Sequence, residues 1–230
     1  MDGEDAHFPY GREQVYPGGN FEAHLLPFKR AIEVGTSAIM PYYGMPVGLE
    51  LAGNMVEQVG FGFNKQILTG LLRKQLGFQG VVCTDWGLIT DGMVLGKFLP
   101  ARAWGMEGAT GLERTVKAIN AGADQFGGEQ RTDLLIEAVR QGLISMDRLD
   151  GSVYRLLLVK FQLGLFDNPF VDEDAAAEIV GNPDFVAAGL DAQGKSMTVL
   201  KNDGILPLTG DKKSTWKASI RQRLRFLAKS

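Results

Sequence analysis

One cysteine, Cys83, in 230 residues leaves no internal disulfide to draw, so cysteine usage gives no argument for or against an oxidising compartment. No apolar run approaches the roughly 18 residues that a bilayer-spanning helix needs. The opening Met1-Asp2-Gly3-Glu4-Asp5 is acidic where a secretory leader would be basic. Neither a membrane span nor an export signal is therefore read, and the compartment stays open. A basic excess is also lacking: 24 Lys and Arg against 27 Asp and Glu give a formal net charge of -3. That leaves no global field to draw in nucleic acid, so a neutral small molecule is the expected partner. Solenoid-period repeats and low-complexity tracts are missing as well. What is present is 45% hydrophobic content, enough for one large core or two small ones, and 30 glycines set where helices end and strands begin.

The periodicity alternates helices with short unbroken apolar runs. A helix is expected from Pro27, with Phe28, Ala31 and Ile32 on one face and Gly35 as its stop, followed by a short buried strand at Ser37 to Met40. Asn64 is placed to cap a second helix through Ile67, Leu68, Leu71, Leu72 and Leu76, which Gly77 ends. Gly80-Val81-Val82-Cys83-Thr84 then reads as a parallel strand buried on both faces, being β-rich without polar alternation. A third helix ends at Gly122 before a strand at Ala123 to Phe126, and two more helices follow caps at Thr132 and Ser145. This order predicts an α/β architecture with a parallel sheet. The acidic, alanine-rich stretch from Val171 to Val180 reads as a linker. A helix follows from Pro183 to about Lys195, and Ser196 to Gly204 reads as a strand and turn opening a second domain. The basic tail from Lys212 to Ser230 reads as a frayed or unrelated terminus and is given no function.

In barrels of parallel strands, reactive side chains project from the C-terminal strand ends. Asp85 occupies such an end. A carboxylate there can be a metal ligand, a general base, a covalent nucleophile or a strand-end cap, and the residues alone leave these open. Trp86 offers a flat apolar face suited to the C–H face of a sugar ring. Asp2, Glu4, Asp5 and His7 match no calcium-loop or zinc spacing and read as a solvated acidic start. His24 reads as a structural partner, Cys83 as a small hydrophobe, and Asp124 as structural rather than catalytic. A metal-dependent barrel using Asp85 and Asp124 as ligands is the weakest alternative. No cofactor and no metal are expected.

The stretch from Leu71-Leu72-Arg73 through Gly77-Phe78-Gln79-Gly80-Val81-Val82-Cys83-Thr84-Asp85-Trp86-Gly87 resembles the nucleophile motif of glycoside hydrolase family 3. Further segments resemble that family in the same order: Tyr16 to Gly19, His24 to Phe28, Ile39 to Tyr42, Ala121 to Asp124, Lys160 to Pro169 and Ser196 to Leu208. The resemblance implies the C-terminal units of a partial (β/α)8 TIM-type barrel over residues 1–170 and an interdomain linker and helix at 171–195. Residues 196–208 would start a second α/β sandwich domain, and residues 209–230 would be a tail of no recognised domain.

It also implies hydrolysis of terminal β-glycosidic bonds, of β-glucosidase type, by a retaining double displacement. Asp85 would be the nucleophile, Tyr42 would orient it or bind sugar, and Trp86 would wall the sugar subsite. The partner would be a β-linked oligosaccharide or glycoside, with oligomeric state undefined. The family's Lys-His-Phe-Pro-Gly type segment does not occur here, and its acid/base carboxylate lies in the second domain. The chain is therefore read as a fragment with little or no activity alone. The alternative is an inactive remnant or a carbohydrate-binding piece without turnover. Sugar and linkage specificity are not readable, although the second-domain start argues against the single-domain N-acetylglucosaminidase branch.

Overall fold

The computed structural model describes residues 4–94, 96–204 and 206–207. The chain divides into two units, Met1–Phe170 and Val171–Ser230. In the first unit, β1 (Glu13–Gln14) precedes α1 (Phe21–Glu33), β2 (Ala38–Ile39), β3 (Met45–Pro46), and a hairpin of β4 (Glu50–Leu51) and β5 (Asn54–Met55). A π-helix (Gln66–Gln75) leads into β6 (Val81–Trp86), and a second hairpin follows as β7 (Gly92–Val94) and β8 (Lys97–Leu99). Then come α2 (Gly111–Ala121), β9 (Gln125–Gly127), α3 (Thr132–Arg140) and α4 (Met146–Gln162). Strands β2, β6 and β9 form a parallel sheet in that order, with helices in the crossovers that parallel pairing requires. The unit is α/β, as the alternating pattern predicts.

The helix preceding β6 is capped as expected, since Asn64 Oδ1 accepts the Ile67 amide at 3.1 Å. Its winding differs from the expected α-helix. The Leu76 amide reaches back five residues to the Leu71 carbonyl at 2.9 Å, which is π geometry. Its buried positions Ile67, Leu68, Leu71 and Leu72 seal one face of the main core with Phe63, Phe78 and Val82. Gly77 closes the helix at φ 71°, a left-handed backbone that glycine adopts without strain. Gly80 serves close approach instead: a Cβ there would overlap the Ser37 carbonyl, which accepts the Val81 amide at 2.9 Å and docks β6 on β2.

Two further helix starts are set by their caps. Thr110 and Glu113 form a reciprocal capping box ahead of α2, and Ser145 accepts the Arg148 amide at 3.2 Å ahead of α4. The helix expected from Pro27 begins earlier, at Phe21, and carries Pro27 in its interior. The Asn20 carbonyl already accepts the Ala23 and His24 amides, and Phe21 is buried in the core with Leu25 packed against it. Tertiary packing thus nucleates α1 upstream of the proline.

Asp124, just before β9, ties the layers together. Its fully buried carboxylate accepts the Val82 amide at 2.9 Å and Arg73 Nη2 at 2.5 Å on one oxygen. The other oxygen accepts Ser152 Oγ at 2.7 Å and Arg155 Nη1 at 3.1 Å, with Arg148 Nη1 at 3.7 Å. The π-helix, β6, β9 and α4 therefore meet on one side chain, which is the structural role expected of it.

The second unit holds α5 (Glu173–Ile179) and α6 (Pro183–Ser196). The stretch read as a linker is thus partly helical, because Asp172 caps Ala175 at 3.0 Å and the alanines that follow favour helix. The strand expected at Ser196 to Gly204 does not form: Ser196 ends α6 and no strand is assigned from Met197 to Gly204. A strand exists only as part of a ladder, and this segment forms no β-ladder among the described residues. The basic tail at 212–230 lies outside them. No helix among the described residues is long and apolar enough to cross a membrane.

Candidate active site

Asp85 is the penultimate residue of β6, half-buried at the C-terminal end of the sheet's central strand. The β6–β9 register runs from Cys83 opposite Gln125 to Trp86 opposite Gly127, three steps on β6 against two on β9. The extra residue falls at Thr84–Asp85, so the carboxylate sits on a bulge, the device by which a strand end re-aims a side chain. Thr84 pins that bulge from a fully buried position: its hydroxyl accepts the Gly127 amide at 3.1 Å and donates to the Asp85 carbonyl at 3.1 Å. Asp85 Oδ1 in turn accepts the Trp86 amide at 2.7 Å. Trp86 itself is 59% exposed, an unusual setting for the largest apolar side chain.

A tyrosine does stand beside this strand end, but it is Tyr43 and not Tyr42. The Tyr43 hydroxyl donates to the Trp86 carbonyl. Burial, and then the adjoining Asp85 carboxylate, push its phenol well above the ordinary tyrosine range, so it stays a neutral donor. Tyr42 points elsewhere. Its hydroxyl shares a 3.0 Å hydrogen bond with Tyr16, its ring meets Phe61 edge-on at 4.7 Å, and it lines an apolar cavity of about 300 Å³ with His24, Leu25 and Phe28. Burial raises the Tyr42 phenol as well. The β2–β6 register, Ile39 opposite Val82, would carry Tyr42 to Asp85 if continued. It stops because Pro41 has no amide to donate, and the chain turns before Tyr43.

Three groups join the site from distant sequence. Arg102 lies over the Tyr43 ring at 5.3 Å, and its Nε donates to the His7 carbonyl at 3.2 Å. The Arg102 amide is held by the Gly87 carbonyl at 2.9 Å. His7 contacts the Tyr43 ring edge-on at 5.1 Å, and its Nδ1 lies 2.6 Å from Asp5 Oδ1. The His7 backbone amide and ring together hold the Asp5 carboxyl below its usual range. The segment read as a solvated acidic start is thus partly built into the site, with Trp104 Nε1 fixing the Ala6 carbonyl at 2.8 Å. Glu129 completes the frame by accepting the Ile89 and Thr90 amides, each at 3.0 Å, and the Thr90 hydroxyl at 2.6 Å.

Asp85 and Asp124 do not converge. Asp124 pairs with Val82, three residues before Asp85 and roughly 10 Å away along the strand. Its oxygens are taken by arginines, which is the wrong company for a cation. Cys83, next to the bulge, is a thiol whose ionisation is pushed up by burial and by the Asp85 charge, so it behaves as an inert side chain. What the arrangement offers is an accessible carboxylate aimed from a strand end, a neutral phenol donor beside it, a carboxylate-held imidazole nearby and an exposed aromatic face.

The family model described as the Glycosyl hydrolase family 3 N terminal domain matches residues 4–159. A "Probable beta-glucosidase C" of Aspergillus oryzae is 56% identical over 214 residues, covering 93% of this chain and 33% of that protein. A periplasmic beta-glucosidase/beta-xylosidase of Dickeya chrysanthemi is 42% identical over 216 residues, covering 90% of this chain and 33% of the relative. Among solved structures, a beta-glucosidase involved in saponin metabolism from intestinal bacteria superposes with a TM-score of 0.60 at 28% identity, over 80% of this chain and 22% of that one. The chain spans about a third of the length of these two curated relatives.

Proposed function

The chain belongs to glycosyl hydrolase family 3, and from that premise we propose that it is the nucleophile-bearing part of a retaining β-glucosidase, with Asp85 as the attacking carboxylate. The observation that carries this reading is the placement of Asp85 on the β6 bulge between the Tyr43 hydroxyl and the exposed Trp86 ring. On this reading β2, β6 and β9 are successive strands of a (β/α)8-type barrel, and residues 1–170 are its C-terminal units.

Asp85 attacks the anomeric carbon of a terminal β-glucoside while the aglycone oxygen leaves, giving a covalent glycosyl-enzyme. Water then displaces Asp85 with net retention. Tyr43 holds its proton and steadies the Asp85–Trp86 end without competing for the sugar. Trp86 stacks on the C–H face of a pyranose. For the proton that the leaving oxygen needs, a specific observation favours His7: its Nδ1 is held by Asp5, which leaves Nε2 to donate, and its ring shares Tyr43 as a neighbour with Asp85. His7 Nε2 gives its proton to the departing oxygen and later takes one from the attacking water.

The test is to graft residues 4–208 in place of the matching third of the Aspergillus oryzae relative and follow p-nitrophenyl β-D-glucoside by NMR. Expected are the β-anomer as first product, loss of turnover in Asp85→Asn, and a His7→Ala defect that shrinks with better leaving groups. An α-anomeric first product, or an active Asp85→Asn graft, would overturn the reading.

A further inference from the structure

We infer that Gly127 and Gly128, the residues that end β9 and follow it, are positioning residues that seat the Trp86 indole flat against the backbone and leave it a single face for a ligand. The inference rests on the sugar-platform reading of Trp86 and adds what sets the ring's orientation.

A Cβ on Gly127 would first overlap the Thr84 carbonyl oxygen and would also stand 2.6 Å from Trp86 Cε3 and 2.9 Å from Cζ3. One on Gly128 would overlap Trp86 Cδ1 and stand 2.5 Å from Nε1 and 2.8 Å from Cγ. Gly127 therefore underlies the six-membered ring and Gly128 the five-membered ring, so the indole spans both residues. No side chain could occupy either position without lifting it. The seat is set by the strand register: Trp86 is the ladder partner of Gly127, and the Thr84 hydroxyl holds the Gly127 amide at 3.1 Å from the neighbouring bulge. Gly128 turns the chain at φ 67°, which carries the backbone under the ring instead of away from it.

The consequence is chemical. The indole packs against peptide backbone on the Gly127–Gly128 side while Trp86 as a whole stays 59% exposed. A ligand meets Trp86 from one side only, and it must bring a flat apolar face of its own. The C–H face of an equatorially substituted pyranose or an aryl aglycone has that shape. The same glycine pair lies beside Glu129, which fixes the loop after β6 through Thr90.

The experiment is fluorine NMR on the 230-residue chain labelled with 5-fluorotryptophan, with the three tryptophan resonances assigned through Trp86→Phe and Trp216→Phe. Gly128→Ala should move the Trp86 resonance and raise its solvent isotope shift, by at most about 1.7-fold from its 59% exposure, while the Trp104 resonance stays in place. An unmoved Trp86 resonance in a folded Gly128→Ala chain overturns the inference. Should Gly128→Ala fail to fold, the double variant Gly128→Ala with Trp86→Ala should fold, since the ring that the new methyl would strike is gone. Failure of that double variant as well also overturns the inference. Phenyl β-D-glucoside should shift the Trp86 resonance in the wild type and not in Gly128→Ala. No response in the wild type would count against the sugar platform and leave the seating of the ring standing.

Discussion

Replacing Asp124 by asparagine removes one charge and almost no volume, so its cost isolates the buried ion cluster. In the wild type one carboxylate oxygen serves Val82 and Arg73 while the other serves Ser152 and Arg155, and every one of these partners is a donor. An amide keeps one acceptor and turns a second donor onto the remaining pair. Arg73 and Arg148 are already desolvated enough to pull their proton affinity down against the Asp124 charge that supports it. Their guanidinium charges would be left uncompensated. Breaking a buried pair from one side costs about 3–5 kcal/mol, against about 5–15 kcal/mol for a whole domain. The melting temperature should fall on the order of 10 °C for a domain of this size. Urea unfolding of the 230-residue chain, followed by tryptophan fluorescence, measures the loss directly. Asp133→Ala, which removes the exposed pair with Arg131, should leave the midpoint in place. A loss below about 1 kcal/mol for Asp124→Asn would refute the view that this side chain fastens the layers.

Thr84→Val leaves the buried Gly127 amide without its acceptor, so it should destabilise the chain by about 1–3 kcal/mol in the same urea assay. Tyr43 holds its proton more tightly folded than the unfolded chain does at a pKa of about 10. Stability should therefore be intact below that value and fall as pH rises through the alkaline range above it. In Tyr43→Phe this decline should be shallower by up to about 1.4 kcal/mol per pH unit, one proton's worth. Because the Asp85 charge contributes to raising the Cys83 thiol, Asp85→Asn should speed alkylation of Cys83 by iodoacetamide at pH 8. An unchanged rate would mean that the two side chains do not sense each other.

The features legible in the sequence were those written in neighbouring residues. Gly77 and the apolar run from Val81 specify a helix stop and a buried strand, each with a local physical cause, and the structure has both. The π winding left a trace in the spacing of Leu71 and Leu76, five residues apart, which an expectation of α-helix passes over. The Asp172 cap in the supposed linker was equally readable. Tyr43 was obscured because the resemblance was matched at its neighbour Tyr42, and nothing in the Tyr42-Tyr43 pair itself says that the chain turns after Pro41 and brings the second ring to the strand end. Glu129 reaches the loop after β6 across 39 and 40 positions of chain, and Arg102 meets His7 across 95, by contacts that carry no local signature.

Treating the residues 4–208 graft with an activated 2-deoxy-2-fluoro-β-D-glucoside and locating the adduct by peptide mass spectrometry tests the central claim most directly. A fluoroglucosyl ester on Asp85, formed in step with inactivation and lost on reactivation, is the predicted result. An adduct on any other carboxylate, or inactivation that proceeds unchanged in Asp85→Asn, would contradict it.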